Sequence, residues 1–534
     1  MLLQKNYEKI LFGGKVDKIF EPAKNEIILG LYANGKNIVI LINAQPEFAR
    51  VHCTTHSKPN PLKAPNFCML LRKHLIGARL VAINTFDLER VLELQFETYN
   101  ECSDIVIKKL IVQVMASQSN IILANQNNII IDCLKHVSTE EFELLPSRVY
   151  KLPHNSKHSF LNSSYDEFKN IIDNNPNDPI DKVLSDNFIG ISRGLVQSLK
   201  LTGDELYNQI KKITENFCNI RLIEDGSDYI VSLCNSKSSL EVNFFLDDFY
   251  YEKETKTLFL QKRNSLLARI SSQLKKYAKR LENINIKLDE CQDMEKYRIY
   301  GELLTANLYK FNSHSNFAEI TVENYYDNQN EITIPLDKKY SLSKNAERFF
   351  KKYNKLKNTL KVVGLQKKET EIELDYMQSI LFSIENSTDI AQLNDIEDEI
   401  NESNLFENRK YVESKKKNNK ESLSQPLKFN IEGFTVLVGK NNKQNDLLTL
   451  KIANRSDLWF HVQNIQGSHV ILKTENKSVP EQVILECARL ATKNSKAKHS
   501  KNVTVDYCPV KNVKKPSGAK PGMVIYNNYK TVIV

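Results

Sequence analysis

The chain lacks the cysteine spacing of a metal or redox centre. Its 534 residues include nine cysteines, an odd number, and no two stand at the C-x-x-C spacing of a zinc site or redox pair. We therefore expect reduced thiols. No run of about eighteen apolar residues occurs, and the first residues lead into charged ones rather than into an apolar leader. These absences predict a cytoplasmic protein without a membrane anchor.

The sequence also lacks an ordered set of catalytic residues. Residues 439–443, Gly-Lys-Asn-Asn-Lys, have neither the second glycine nor the Lys-Ser/Thr pair of a P-loop, so they are interpreted as a polar RNA-contacting or hairpin loop. His461 and His469 have no Cys or Asp/Glu series nearby to complete a tetrahedral metal site. Both are expected to be structural or to contact RNA. The prediction is a protein with no enzyme activity, no metal and no cofactor.

Positive charge is present and unevenly distributed. The chain has 74 Lys and Arg against 65 Asp and Glu, a net charge of +9. Residues 493–530 contain nine lysines, and their only acidic residue is Asp506. A polyanionic partner is therefore plausible at the C-terminal end.

Alternating apolar residues and turn signals predict a mixed α/β domain over residues 1–160. The expected strands are residues 26–32, 37–43, 91–96, 104–115 and 120–124, and residues 68–75 look helical. Short helices are expected over residues 161–245, with a turn at Gly190 between two of them. Such a turn can direct backbone N–H groups at a phosphate, as a helix-hairpin-helix does, or it is a plain helix-helix corner.

Residues 246–407 carry the clearest periodicity, which predicts a coiled-coil arm. Apolar residues spaced alternately three and four apart form the first seam: Leu267, Ile270, Leu274, Tyr277, Leu281, Ile284, Leu288 and Cys291. The second helix supplies Tyr353, Leu356, Leu360 and Val363, then Leu374, Met377, Leu381 and Ile384. Lys367 and Thr370 are expected to break this second seam. Antiparallel arms of forty to sixty residues would project roughly 60 to 90 Å, with a small tip at residues 314–339.

A charged linker and a final domain complete the predicted organisation. Residues 408–425 are nearly free of apolar side chains and read as solvated linker. Residues 426–534 alternate strands, at 433–438, 457–461 and 468–472, with loops, and Pro480 opens a helix that runs to about residue 492. They are expected to form a compact α/β or β-rich module.

Several ordered motifs resemble one known family, NFACT. The segment 439–446, the run Asp457-Leu-Trp-Phe-His461, residues 467–471, and the ending 505–507 with 511–522 are similar to the family's C-terminal NFACT-R domain. Residues 13–19 and 66–74 look like its NFACT-N domain, and residues 190–192 stand where the family has its helix-hairpin-helix. The resemblance covers essentially the whole chain. It implies a multidomain α+β fold: NFACT-N, helix-hairpin-helix, long antiparallel coiled coil and NFACT-R.

The resemblance also implies a non-catalytic ribosome quality-control factor in the cytoplasm. Family members bind large ribosomal subunits obstructed by peptidyl-tRNA and recruit a further tRNA. In bacterial members this is alanyl-tRNA, and an untemplated alanine tail marks the stalled chain for degradation. The implied partners are ribosomal RNA, stalk-base proteins, the two tRNAs and RqcP, with no membrane.

The implied site residues fall into two groups. The tRNA-binding candidates are Glu89, Arg90, Gln113, Gly190 and Ser192. The rRNA-binding candidates are Lys440, Asn441, Asn442, Lys443, Trp459, His461, Ser468, His469, Lys511, Lys514 and Lys515. Glu89 and Arg90 replace an Asp-Arg pair of the family, and residues 113–120 lack a carboxylate and an arginine found there. Taken alone, the first pair is either a surface ion pair or a tRNA contact.

Two other functions compete. Bacterial members have been labelled fibronectin-binding proteins, which suggests a surface adhesin, although neither a leader nor an anchor is evident in the sequence. An NFACT-N domain followed by a helix-hairpin-helix also resembles the formamidopyrimidine DNA glycosylases. Those enzymes use an N-terminal Pro-Glu, whereas this chain begins Met1-Leu2-Leu3 and has no zinc-finger cysteines.

Overall fold

The protein folds into two units in a computed structural model. The structure describes residues 8, 10–100, 102–139, 143–153, 155–215, 220–226, 228–233, 239–311, 317–403 and 424–534. The units are Met1–Thr257 and Leu258–Val534. Nearly all of the predicted linker, and residues 314–316 of the predicted tip, lie outside the described residues.

A nine-stranded antiparallel sheet dominates the first unit, with strand order β4-β3-β2-β1-β5-β6-β7-β8-β9. Its strands are β1 Lys15–Phe20, β2 Glu26–Ala33, β3 Lys36–Asn43, β4 Arg50–Cys53, β5 Arg79–Thr85, β6 Val91–Tyr99, β7 Ile105–Gln113, β8 Asn120–Asn125 and β9 Ile130–Cys133. Helix α1, Asn66–Leu75, buries Phe67, Cys68 and Leu71 in the core beside the sheet. Two short hairpins follow: β10 Val137–Ser138 with β11 Glu143–Leu144, and β12 Ile220–Asp225 with β13 Asp228–Leu233.

Short helices form a separate aromatic core in this unit. They are α2 Tyr165–Asp173, α3 Ile180–Asn187, α4 Arg193–Leu199 and α5 Gly203–Glu215. Phe160 and Phe188 lie edge to face, with ring centroids 5.3 Å apart, and both are fully buried. The side-chain oxygens of Ser164 and Ser192 accept hydrogen bonds from the first turns of α2 and α4, which fixes where these helices begin.

A long helix, α6 Ser239–Glu290, contributes one buried carboxylate, Asp247, and one half-buried carboxylate, Glu254, to the first unit. Asp247 accepts from His52 Nε2 (3.1 Å), from Thr54 Oγ1 (2.7 Å), and from both the backbone N–H (2.8 Å) and the hydroxyl of Thr55. Burial alone would raise the pKa of Asp247, but these hydrogen bonds outweigh it and hold the pKa well below its usual range. Burial lowers the pKa of His52, so its ring is a neutral donor at pH 7.

Two turns further along α6, Glu254 receives two cations. Arg50 and Lys58 each lie 2.6 Å from a Glu254 carboxylate oxygen, and Asn43 Nδ2 donates at 3.1 Å. Burial opposes ionisation of Glu254, yet the Arg50 hydrogen bond and charge hold its pKa below the ordinary value. Because all three donors come from β3, β4 and the segment after it, these contacts fix the N-terminal part of α6 against that edge of the sheet.

Helices and one hairpin make up the first part of the second unit. The elements after α6 are α7 Met294–Ala306, the hairpin β14 Glu319–Asn324 and β15 Asn330–Pro335, α8 Leu342–Glu385 and α9 Ile390–Glu402. Leu266 and Ile270 of α6 share a core with Met377 and Ile380 of α8. The prediction that Thr370 breaks the second seam is wrong, because Thr370 is buried and its hydroxyl donates to the Gln366 carbonyl.

The C-terminal part of this unit is a six-stranded sheet of order β16-β17-β19-β18-β20-β23. The elements are β16 Leu427–Ile431, β17 Phe434–Val438, α10 Asn442–Leu447, a π-helix at Leu448–Ile452, β18 Leu458–Val462, β19 Val470–Leu472, α11 Glu481–Lys493, β20 Thr504–Pro509, β21 Val513–Lys514, β22 Ile525–Tyr526 and β23 Lys530–Ile533. Helix α11 buries Val483, Cys487 and Ala488 in the same core as Val462 and Val470.

The mixed α/β organisation is confirmed. Each strand named in the sequence analysis overlaps an observed strand, and the predicted helices at residues 68–75 and 480–492 are α1 and α11. A second expectation is wrong: residues 439–443 are not a simple loop, because Asn442 and Lys443 already belong to α10. Within the described residues, no helix is both long and apolar enough to cross a membrane.

The Asp247 contacts can be tested by replacing it with alanine, which leaves the His52, Thr54 and Thr55 donors without their acceptor. We expect a loss of about 3 kcal/mol or more in the free energy of opening of β4, measured by native-state hydrogen exchange at pH 7. Because the folded pKa of Asp247 is depressed, the difference between wild type and variant should shrink as pH falls below the ordinary value of 3.8.

The neighbouring Asp248 provides the control. Its side chain is 73% exposed, and its one ion pair among the described residues is with the partly exposed His56, so Asp248→Ala should change the opening free energy by no more than about 0.5 kcal/mol. Equal effects of the two substitutions would show that Asp247 does not hold this helix.

Candidate RNA interface

Glu89 and Arg90 lie in the turn between β5 and β6. The Glu89 N–H donates to the Phe86 carbonyl (2.9 Å), and Asn155 Nδ2 donates to Glu89 Oε1 (2.8 Å). Arg90 is exposed, and within the described residues no hydrogen bond or ion pair holds its guanidinium. Glu89 and Arg90 therefore do not form the surface ion pair that was one of the two interpretations of the sequence. The free guanidinium is suited to a phosphate.

The structure brings this turn against Gly190. Gly190 has φ +79°, and a Cβ added there would lie 2.6 Å from Leu88 Cβ. A side chain at position 190 is therefore excluded twice, by backbone conformation and by the close approach of Leu88. Ser192, two residues on, accepts from the Leu195 N–H (3.2 Å) as the cap of α4. Four of the predicted tRNA-binding residues thus belong to one corner of the first unit.

Gln113, the fifth, lies behind that corner. It is buried on β7, and its Nε2 donates to the Tyr150 hydroxyl (3.0 Å). Burial raises the pKa of Tyr150 to about 12, so this hydroxyl stays protonated. The next residue, Val114, donates its N–H to the Arg90 carbonyl (2.9 Å). Gln113 is therefore placed to position the backbone at Arg90 rather than to face solvent.

In the second unit, the asparagines of the 439–446 motif point inward. Asn441 caps α10 by accepting from the Gln444 N–H (2.9 Å). Asn445 Oδ1 accepts from the His469 N–H (3.0 Å), and a Cβ on Gly439 would lie 2.1 Å from that oxygen. These residue types are required because they satisfy backbone groups in the strand-to-helix connection.

Asn442 connects this motif to the helical part of the unit. Its Nδ2 donates to Glu399 Oε1 (2.9 Å) and to Ser379 Oγ (2.9 Å), and the Tyr376 hydroxyl also donates to Glu399 (2.9 Å). Burial raises the pKa of Glu399 to about 7, against the opposing hydrogen bonds from Asn442 and Tyr376. Beside it, Lys443 pairs with Glu402 at 2.8 Å. Nothing in the sequence indicated Glu399 as a site residue.

The aromatic motif residues are likewise interior. Trp459 is 1% exposed, and its ring lies 5.6 Å from His461 and 5.2 Å from His469. Burial lowers the pKa of His469 to about 3, so the ring is neutral, and its Nδ1 lies 2.8 Å from Thr449 Oγ1. Ser468 is also buried, and its N–H donates to the Asn494 carbonyl (2.9 Å). Trp459, Ser468 and His469 thus belong to the domain's interior, and His461 is half-buried beside them.

Of the lysines predicted to bind rRNA, two are both exposed and without an ion-pair partner among the described residues. Lys511 and Lys514 are exposed, and the Lys511 N–H donates to the Arg455 carbonyl (3.2 Å), which places the exposed Arg455 beside them. Within the described residues these three side chains have no carboxylate partner. Lys515 instead pairs with Asp446, and Lys440 is half-buried. Arg455 was missed because the sequence patterns did not predict α10 or the π-helix that precede it.

One group of potential metal ligands occurs among the described residues: Asp132, Cys133 and His136. The Cys133 thiol donates to the carbonyls of Lys135 and Leu144, and burial raises its pKa to about 12. A protonated thiol already engaged in two hydrogen bonds is a poor metal ligand.

Comparison with known proteins identifies relatives along the whole chain. The family model of the NFACT N-terminal and middle domains matches residues 3–421, and that of the NFACT protein RNA binding domain matches residues 427–528. The Rqc2 homolog RqcH of Bacillus subtilis (strain 168) is 34% identical, covering 99% of this chain and 95% of the relative. The Rqc2 homolog RqcH of Streptococcus suis (strain 05ZYH33) is 32% identical, with 98% and 95% covered.

A solved structure is also similar: the C-terminal part of the fibronectin/fibrinogen-binding protein from Streptococcus suis. It covers 52% of this chain and 94% of its own, at 31% identity and a TM-score of 0.40.

The contact at Gly190 predicts a specific sensitivity. Gly190→Ala should destabilise the corner by about 1–2 kcal/mol from backbone conformation alone, with a further cost from Leu88. Gly194 is the matched control, because a Cβ there meets nothing within 4 Å and α4 favours alanine. Only the first substitution should lower the midpoint temperature of thermal unfolding, measured by circular dichroism. Equal behaviour of the two variants would contradict the close packing.

Glu399 predicts a pH dependence. Its raised folded pKa means that its stabilising effect is full below the ordinary value of 4.5 and is lost as pH rises through about 7. Glu399→Gln should therefore match wild type near pH 4.5 and be more stable by up to about 3 kcal/mol near pH 8, measured by urea unfolding. Glu371→Gln, which removes an exposed carboxylate from α8, should leave the wild-type pH profile unchanged. A pH-independent difference would rule out Glu399 as the titrating group.

Proposed function

We propose, because the chain belongs to the NFACT family, that it is a ribosome quality-control factor that binds obstructed large ribosomal subunits carrying peptidyl-tRNA. There it recruits a tRNA, alanyl-tRNA in our proposal, for untemplated C-terminal tailing that marks the stalled chain for degradation. The observation that carries the proposal is 34% identity to a protein named Rqc2 homolog RqcH over 99% of the chain. The match of residues 427–528 to an RNA-binding domain supports it.

The tRNA contact is proposed for the corner formed by Leu88, Glu89, Arg90 and Gly190. Arg90 would hold a phosphate or stack on a base, and Glu89, already oriented by Asn155, would accept from a base amino group. Helices α3 and α4 with the Gly190 turn would act as a helix-hairpin-helix that directs N–H groups at the backbone. Gln113 and Ser192 would position this corner.

The rRNA contact is proposed for the exposed cations of the C-terminal domain, Lys511 and Lys514, joined by Arg455. Lys440, Lys443 and Lys515 would add positive charge at the edge of this surface. The buried candidates Asn441, Asn442, Trp459, Ser468 and His469, together with His461, would contribute by holding the domain in shape. An interface of this kind binds phosphates with little base specificity.

The remaining proposals concern the arm and the chemistry. Helices α6 and α8 would pair as an antiparallel coiled coil that reaches toward the stalk base. The chain would supply no catalytic group, because the ribosome carries the peptidyl-transfer centre. The proposed location is the cytoplasm, on ribosomes, with RqcP as a further partner.

The first test is to purify the tagged protein from its own cells on sucrose gradients and to sequence the RNA that travels with it. Large-subunit rRNA together with one enriched tRNA is the expected result, and the tRNA would name the amino acid added. Absence of ribosomal RNA would overturn the proposal.

The second test separates tRNA recruitment from subunit binding. Glu89→Ala combined with Arg90→Ala should abolish tail synthesis while leaving co-sedimentation with large subunits largely intact. The control pair is Glu143→Ala with Arg148→Ala, an exposed ion pair elsewhere in the first unit. Loss of subunit binding in the first variant, or loss of tailing in the control, would show that the corner is wrongly assigned.

A further inference from the structure

The middle of the arm carries an unusual concentration of positive charge. Between residues 258 and 281, α6 has seven basic residues and no acidic one, and between residues 348 and 368, α8 has eight basic residues and no acidic one. Solvent-exposed helices ordinarily intersperse both signs, because opposite charges four apart stabilise the helix and like charges weaken it. Lys275 with Lys279, and Lys276 with Arg280, are like-charged at that spacing. The arrangement therefore opposes helix stability in isolation.

On either side of residues 276–287, in contrast, several cations are paired with carboxylates. On one side, Lys262 and Arg269 pair with Glu397 at 2.8 and 3.6 Å. On the other, Arg298 pairs with Glu295 at 2.6 Å and with Glu302. Between them, Lys276, Lys279, Arg280 and Lys287 are exposed, and none has a carboxylate within 4 Å among the described residues. The middle thus carries four exposed cations without an ion-pair partner among the described residues.

These four cations line one open groove, together with Asn283 of the same helix and Gln366 of α8. No carboxylate contributes to it. The cations repeat along one side of α6 over the twelve residues 276–287, a length of about 16 Å at 1.5 Å per residue. Several point charges in a row, accompanied by neutral amides, suit a regular line of phosphates better than a single small anion.

We propose that this groove is a second RNA-binding surface, which holds the phosphate backbone of a double-stranded RNA without reading its sequence. The partner class follows from the charges and from the RNA-binding domain in the same chain. Double-stranded RNA is recognised mainly through shape and backbone, which lysines and an arginine on a straight helix can provide. The inference rests on the proposed function and extends it, since the arm then binds RNA along its length.

The test uses the full chain and a blunt RNA duplex of about 20 base pairs, with binding followed by fluorescence anisotropy over a range of KCl concentrations. The variant Lys276→Gln, Lys279→Gln and Arg280→Gln should bind about tenfold more weakly at moderate salt. The slope of log affinity against log salt concentration should be smaller in magnitude by about three, because three phosphate contacts are removed.

Two controls separate local binding from net charge and from folding. Lys344→Gln, Lys477→Gln and Arg489→Gln remove the same charge from exposed residues that are already paired with Glu347, Glu475 and Glu486. This control should keep the wild-type slope. Exchanging Lys276 and Lys279 for arginine and Arg280 for lysine should restore binding, because the charges remain.

Failure of the arm site and failure of the proposed function give different experimental results. A groove variant with the wild-type affinity and slope, or a wild-type protein that travels with large-subunit RNA but binds no duplex, would overturn the arm site and leave the proposed function standing. Preference for anionic vesicles over the duplex would also reject it. Absence of any ribosomal RNA in the cellular purification would overturn the proposed function instead.

Discussion

A carboxylate removed from water must find hydrogen-bond donors, and this requirement organises both units. In the first unit, Asp247 and Glu254 reach from α6 into donors supplied by β3, β4 and the segment that follows. Removing either partner would leave an unsatisfied charge in the interior, which costs several kcal/mol. The helix therefore has one favourable position along the sheet, whereas apolar contact alone would tolerate sliding.

The second unit uses the same principle with a different outcome. Glu399 is buried with two neutral donors, Tyr376 and Asn442, and no cation lies within ion-pair distance among the described residues. Its carboxyl group consequently stays partly protonated near neutral pH. The motif that joins β17 to α10 thus contacts α8 and α9 through Asn442. The cations that we propose for RNA contact, Arg455, Lys511 and Lys514, are exposed and take no part in this buried network.

Much of the local structure could be predicted, because local structure depends on patterns that the chain displays directly. Alternating apolar residues identified β2, β3, β6, β7 and β8, and the three-four spacing identified buried residues of α6 and α8 such as Ile270 and Met377, although Leu360 is exposed. Thr370 was misjudged because a threonine can satisfy its hydroxyl within its own helix turn. The partners of Asp247 and Glu399 could not be predicted, because they lie about 190 and 40 residues away along the chain. For the same reason, the inward orientation of Asn442 and Trp459 could not be read from their motifs.

The close approach of Leu88 to Gly190 has an evolutionary consequence. The two positions are about a hundred residues apart in sequence, yet the nearest atom to a side chain at one is the Cβ of the other. A lineage that gains a side chain at position 190 must either lose the Cβ at position 88, as glycine would, or shift the backbone, and must also tolerate a left-handed conformation at position 190. Positions 88 and 190 should therefore change together or not at all. Their covariation among related sequences would show how strictly this close packing has been maintained.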